Sequence, residues 1–315
     1  MRNLLIITLL TINSFSSAQP QDVMLPIMSS WSIGDHFDFT IDRYTHEVVH
    51  SQVIQDKHLT FHSQMRILDA SEKSYTILWM YDYDWSAFEG QLSPKYFDNL
   101  RKFSKVEIIY KTDQYGTYEQ LLNADEINSQ FTDMYENLIA SLPDTVDMKD
   151  VRALAELTNM QHMMSNEEYV EQTFLKDVFL VHYLLGVVLD PKIKNTYVQS
   201  FPSLGGQTVF GNAELEVVHI NPEQFFCVIE ENVTLSEEDS QRFVSSYLQK
   251  VGGAQAVQKL NKWDFDIRDQ HEFQLFYYPG IPKKITTKRT IAISDSKEFS
   301  ERTDTTVIQL RIPQE

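Results

Sequence analysis

The chain has 315 residues, 42% of them hydrophobic and 12% aromatic, enough to fill a sizeable core and to exclude a disordered chain. Its 45 acidic against 27 basic side chains leave a formal net charge of −18, which opposes nucleic acid and anionic surfaces and excludes a phosphate-tracking role. One cysteine, Cys227, excludes an internal disulfide framework.

Residues 1–18 read as a cleaved secretory signal: Arg2, an apolar run from Leu4 to Ile12, then Ser16-Ser17-Ala18 before Gln19. The expected location is therefore periplasmic or secreted, and residues 19–315 are expected to form a single domain. After Gly34-Asp35, Phe37, Phe39 and Ile41 alternate with Asp38, Thr40 and Asp42, the period of a half-buried strand. A polar connection leads to a second alternating run, Leu59 to Ile67. The third run, Tyr75, Ile77, Trp79, Tyr81, Tyr83 and Trp85, is the strongest, since each aromatic can hide ~150–250 Å². These three runs predict an antiparallel meander. A short helix over 94–103 and a hairpin around Gln114-Tyr115-Gly116 complete the first β-rich part, 19–123.

Helical spacing then dominates 124–141, 147–163 and 166–186, an insert taken to run to residue 190. The apolar stretch Val178 to Leu189 is about 18 Å long as a helix, too short to cross a bilayer, so no transmembrane span is predicted. The second β-rich part, 191–315, predicts strands at 207–220, 224–235, 263–278, 283–294 and 305–312. Ser236-Glu237-Glu238-Asp239 looks like a capping box opening a helix to Lys250. Strands, helix and hairpin thus recur on both sides of the insert, which suggests two pseudo-repeated halves. The basic run Lys283, Lys284, Lys288 and Arg289 reads as the solvated face of a strand.

One chemical motif stands out: His46-Glu47-Val48-Val49-His50 matches H-E-x-x-H. On a helix the two imidazoles share a face and can hold zinc while the glutamate activates water. On a strand, residues i and i+4 lie roughly 13 Å apart and cannot chelate one ion. Tyr44 to Gln52 extends an alternating strand and has no helix cap, so a strand or its turn is expected and no metal is assigned. His46 and His50 would be ligands and Glu47 the base only if the segment were helical. His58 and His62 form a second spaced pair, expected on a hairpin. Asp82 with Asp84 and Asp264 with Asp266 have the spacing of a glycosidase pair but also of a strand's wet face, the reading preferred here. Cys227, between Phe225-Phe226 and Val228-Ile229, reads as an inert core thiol.

Gly34-Asp35, the segment Ser71 to Trp79, the Tyr115-Gly116 hairpin leading into Leu121-Leu122-Asn123, and Ala18 before Gln19 resemble uncharacterised exported proteins of Bacteroidetes-type bacteria. That resemblance implies no activity, and it places HEVVH in a variable first hairpin. By layout, the chain is also similar to periplasmic lipoprotein and lipid carriers.

The expected fold is α+β: a large curved, mostly antiparallel sheet with the helical insert on its concave face. The expected function is non-enzymatic binding of an apolar or amphipathic ligand, a lipid or lipidated partner, along Trp79, Tyr81, Tyr83, Trp85, Phe276 and Tyr278. An envelope protein that binds another protein is the alternative, and a zinc hydrolase the third reading. No cofactor and no nucleic-acid partner are expected.

Overall fold

The computed structural model describes residues 24–83, 98, 101–140, 171, 174–202, 208–252, 264–294 and 299–312. The predicted helices over 94–103 and 147–163 fall largely or wholly outside these residues. Among those described, eleven strands form one antiparallel sheet that does not close on itself. In chain order its members are β2 (His36–Val49), β3 (Gln52–Ala70), β4 (Ser74–Asp82), β5 (Lys105–Asp113) and β6 (Tyr118–Leu121), then β8 (Asn195–Pro202), β9 (Thr208–Asn221), β10 (Phe226–Leu235), β11 (Asp264–Phe276), β12 (Ile281–Ser294) and β13 (Phe299–Leu310). The fold is the α+β class that the alternation predicts, with a large curved sheet.

The connectivity is unusual in its starting point. The chain enters at the centre with β2, meanders outward to one edge at β6, resumes at the opposite edge with β8 and meanders back. The last strand, β13, closes against the first, with Ser300 opposite Val49 and Leu310 opposite Phe39. A two-stranded ribbon of β1 (Leu25–Pro26) and β7 (Val188–Leu189) lies apart from the main sheet.

Three helices are described: α1 (Ala124–Ala140), α2 (Lys176–His182) and α3 (Glu237–Gly252). No described helix is long and apolar enough to cross a membrane. The start of α3 carries the predicted cap: the Ser236 hydroxyl accepts the Asp239 amide at 3.1 Å and donates to the Asp239 carboxylate at 2.7 Å. α3 packs on β9, β10 and β11, where Val244 joins Phe265 and Ile267. α2 packs on β12, and its Val178 and Val181 join Trp79, Ile108 and Phe273 in the main core.

His182 fixes the end of α2. Its Nδ1 meets the Gly116 carbonyl at 2.6 Å and its Nε2 meets the Tyr110 hydroxyl at 2.7 Å. A carbonyl can only accept, so Nδ1 carries the proton and Nε2 accepts from Tyr110. Gly116 holds φ +92° in the β5–β6 turn, and a Cβ there would stand 2.8 Å from the Leu185 side chain. Burial pulls the His182 pKa down from 6.5 to about 4 despite the Gly116 bond. The unfolded chain therefore binds the extra proton first, and the stabilisation present above pH 6.5 is lost as pH falls toward 4. About 3 kcal/mol should disappear across that window. Urea melts at pH 7 and pH 4.5 should show a steeper loss in wild type than in His182→Gln, which keeps the smaller contribution of His271, also lowered by burial.

The turn between β2 and β3 is tighter than expected. There is no polar connection: β2 runs to Val49, His50 and Ser51 make a two-residue turn, and β3 begins at Gln52. Both turn residues have positive φ, 49° and 63°, a conformation that favours Asn-Gly. The double substitution His50→Asn, Ser51→Gly should raise stability by about 1 kcal/mol. Thermal melts would check this, and melts with added zinc should shift wild type and variant equally.

Candidate ligand cleft on the inner face

On the covered face of the sheet, alternate positions are apolar until they reach its middle. On β10 the series Cys227, Ile229, Val233 is interrupted by Glu231. On β11, Asp269 and His271 break the series between Ile267 and Phe273. On β12, Thr287 and Arg289 stand between Ile285 and Ile291, and on β2 Arg43 follows Phe39 and Ile41. Register aligns these interruptions into two rungs. One is Asp269, Arg289, Asp304, Thr45; the next is Glu231, His271, Thr287, Thr306, Arg43. A polar belt thus crosses the inner face, with the main core on one side and the α3 core on the other.

Above this belt lies a cleft of about 530 Å³ between α2 and strands β2, β11, β12 and β13. Its floor carries three ion pairs. Arg289 grips Asp269 through two bonds of 2.8 and 2.6 Å, and Arg302 grips Asp304 through two of 2.8 and 3.1 Å. Such two-pronged guanidinium–carboxylate bonds set orientation as well as charge. Arg43 reaches Asp177 on α2 at 2.8 Å, and its guanidinium lies 5.3 Å from the centre of the Phe61 ring. Asp177 is 1% exposed and also accepts the Tyr81 hydroxyl at 2.8 Å. Burial, with Asp177 beside it, pushes the Tyr81 pKa well up and that of Tyr83 up to about 12.

The far end of the belt is a second polar cluster. The Tyr183 hydroxyl donates to Glu231 at 2.7 Å, and Tyr197 donates to the same oxygen. The Tyr183 ring stacks on Phe273 at 5.4 Å, so one side chain links the apolar core to the cleft. Burial draws the His271 pKa down, and its Nδ1 has no hydrogen-bond partner among the described residues. Phe179, Leu180 and Tyr183 supply the apolar wall.

The residues predicted as a ligand stripe do not form one surface. Trp79 and Tyr81 are 0% and 2% exposed and touch protein on all sides, while Tyr83 is half-buried against Phe61 at 5.2 Å. Trp85 lies outside the described residues. Phe276 packs on Phe226 at 5.7 Å, and Tyr278 is exposed in the β11–β12 turn. Four strands separate β4 from β11, about 24 Å along the sheet. What α2 leaves open is the polar belt, not the aromatic stripe.

HEVVH occupies the end of β2 and its turn, so its residues lack the helical spacing that zinc chelation needs. His46 faces Asp56, and His58 bonds Asp42 at 2.9 Å while stacking on Tyr44. No three metal-ligating side chains converge among the described residues. Asp82, Asp264 and Asp266 are exposed, on the wet face of their strands; Asp84 lies outside the described residues. The Cys227 thiol is fully buried, and burial pushes it up to about 12. Arg289 departs from the solvated-face expectation: in a strand it must point opposite to Lys288, which places it on the inner face beside Asp269.

No protein-family model matches the chain. No curated protein matches it. Among solved structures it is similar to a lipovitellin chain described for its lipid–protein interactions, at 9% identity and a TM-score of 0.42, over 90% of this chain and 26% of that one. The chain thus spans about a quarter of that protein's length, and a likeness at this score carries no argument.

Proposed function

We propose that this protein is an exported, non-enzymatic carrier or sensor that holds one amphipathic molecule against the inner face of its sheet. The observation that supports this most is the cleft itself: about 530 Å³, within the range of small-molecule sites, polar on its floor and apolar at Phe179, Leu180 and Tyr183. Export rests on the signal-like residues 1–18, and carriage by the 19–315 domain follows from it. The ligand-lining role first assigned to Trp79 and Tyr81 requires α2 to move, whereas Phe179, Leu180 and Tyr183 already face the cleft. Calorimetric titration of the purified protein with dodecyl maltoside, below its micelle threshold, tests the reading. A saturable site is expected, and Thr287→Trp should abolish it by filling the cleft without unfolding the chain. No binding, or binding indifferent to Thr287→Trp, would overturn it.

A second reading, an interaction protein, has its own observation. Gln52 to Phe61 of β3 pairs with β2 but has no strand partner on its other side among the described residues, because β4 pairing starts at His62. Val53 and Ile54 are 59% and 58% exposed there. Open edges invite strand addition. A crosslinker placed at Ile54 would report one defined neighbour in the host if this edge is used, and none if it is not.

A further inference from the structure

We infer that the polar end of the ligand is anionic, a phosphate or carboxylate seated among Lys176, Arg43 and Arg289. This rests on the proposed function and narrows it to a ligand class. Four cations line the cleft, and three of them hold carboxylates: Arg43 with Asp177, Arg289 with Asp269, Arg302 with Asp304. Lys176 is the fourth, and no carboxylate stands within ion-pair distance of its ammonium among the described residues. The remaining acid of the belt, Glu231, is 1% exposed and already accepts two tyrosine hydroxyls on one oxygen. It sits on β10 and is not part of the cleft wall; its other oxygen has no hydrogen-bond partner among the described residues and lies 4.0 Å from His271 Nε2.

The surroundings of Lys176 point the same way. Desolvation, then the fields of Arg43 and Arg289, lower its pKa, with Asp177 and Asp304 opposing. An incoming anion would relieve that crowding and accept hydrogen bonds from the Lys176 ammonium. The net charge of −18 opposes broad anionic surfaces such as a membrane, so selection of a single anion has to be local. The wall of Phe179, Leu180 and Tyr183 then takes the chain behind the head, which makes an amphiphile a better fit than a free ion.

Four probes decide the matter by calorimetry: dodecyl phosphate, dodecyl maltoside, dodecyltrimethylammonium and inorganic phosphate, each at low and at high salt. Dodecyl phosphate should bind about tenfold more tightly than the maltoside, the scale of one charge-assisted hydrogen bond. The trimethylammonium head should bind least. The preference should collapse in Lys176→Gln and at high salt, and survive in Lys176→Arg. Because Lys176 has no ion-pair partner among the described residues to leave uncompensated, both variants should fold, which melts will verify. Equal binding of all three heads would overturn the anionic assignment while leaving the amphiphile reading intact. Inorganic phosphate binding as tightly as dodecyl phosphate would overturn the amphiphile and leave a free-anion site. No binding by any probe would overturn both readings, and an unchanged preference in Lys176→Gln would remove Lys176 from the site.

Discussion

Replacing Trp79 by alanine is expected to cost about 3–5 kcal/mol of folding stability. The indole is fully buried, stacks on Phe39 at 5.5 Å and meets Tyr81 edge-on at 5.9 Å. Met65 and Ile108 stand opposite it on β3 and β5, so the hole would open in the middle of three strands that cannot collapse independently. A typical domain has only about 5–15 kcal/mol in hand, so the variant should unfold at a much lower urea concentration. Trp79→Phe should cost less, because the indole N–H has no hydrogen-bond partner among the described residues to forfeit. A Trp79→Ala protein of near-native stability would show that the stripe is not core, and would return it to the list of ligand contacts.

Replacing Arg43 by leucine is expected to cost about 3 kcal/mol for a different reason. The guanidinium side chain is 38% exposed, while the Asp177 side chain it neutralises is 1% exposed. Removing the cation leaves a carboxylate in the interior whose one remaining side-chain hydrogen bond among the described residues is from the Tyr81 hydroxyl, and that imbalance is worth more than the pair itself. Asp177 sits on α2, and Arg43 on the first central strand, so the same contact ties the helix to the sheet. The double variant Arg43→Leu, Asp177→Leu should recover a substantial part of the loss, since both charges are then gone. Denaturation of the two single variants and the double closes the cycle. Strict additivity would mean that the two side chains do not act as a pair.

The inner-face belt was visible in the sequence, though not at the places where motifs are usually sought. HEVVH drew attention because it matches a pattern, yet its valines and its position after an alternating run already argued for a strand. The informative signal was quieter: an inward series such as Phe265, Ile267, Asp269, His271, Phe273, Leu275 keeps its period while two members change to polar. On one strand this looks like noise. It acquires meaning only when β10, β11, β12, β13 and β2 are brought side by side, and their order in the sheet joins residues 231, 271, 287, 306 and 43 from opposite ends of the chain. The same lack of register led to the aromatic set being drawn as one surface. Trp79 and Phe276 are both aromatic, but four strands lie between them, and Phe276 falls outside the inward phase of β11.

What the sequence determined by itself was local. Side-chain alternation dictated most strands, because a period of two is the only way a pleated chain can bury one face. The serine before α3 and the aspartate in its first turn dictated its start, and the crowding of apolar residues in 174–185 dictated that this segment would be buried. Tertiary structure alone decided three things: that β2 and β13 meet at the centre, that α2 covers the aromatic stripe, and that four cations and three aspartates share one cleft. The physical reason is that strand pairing and charge pairing are long-range. Arg43 and Asp177 are 134 residues apart in the chain, and neither carries any mark of the other until the sheet has folded around them.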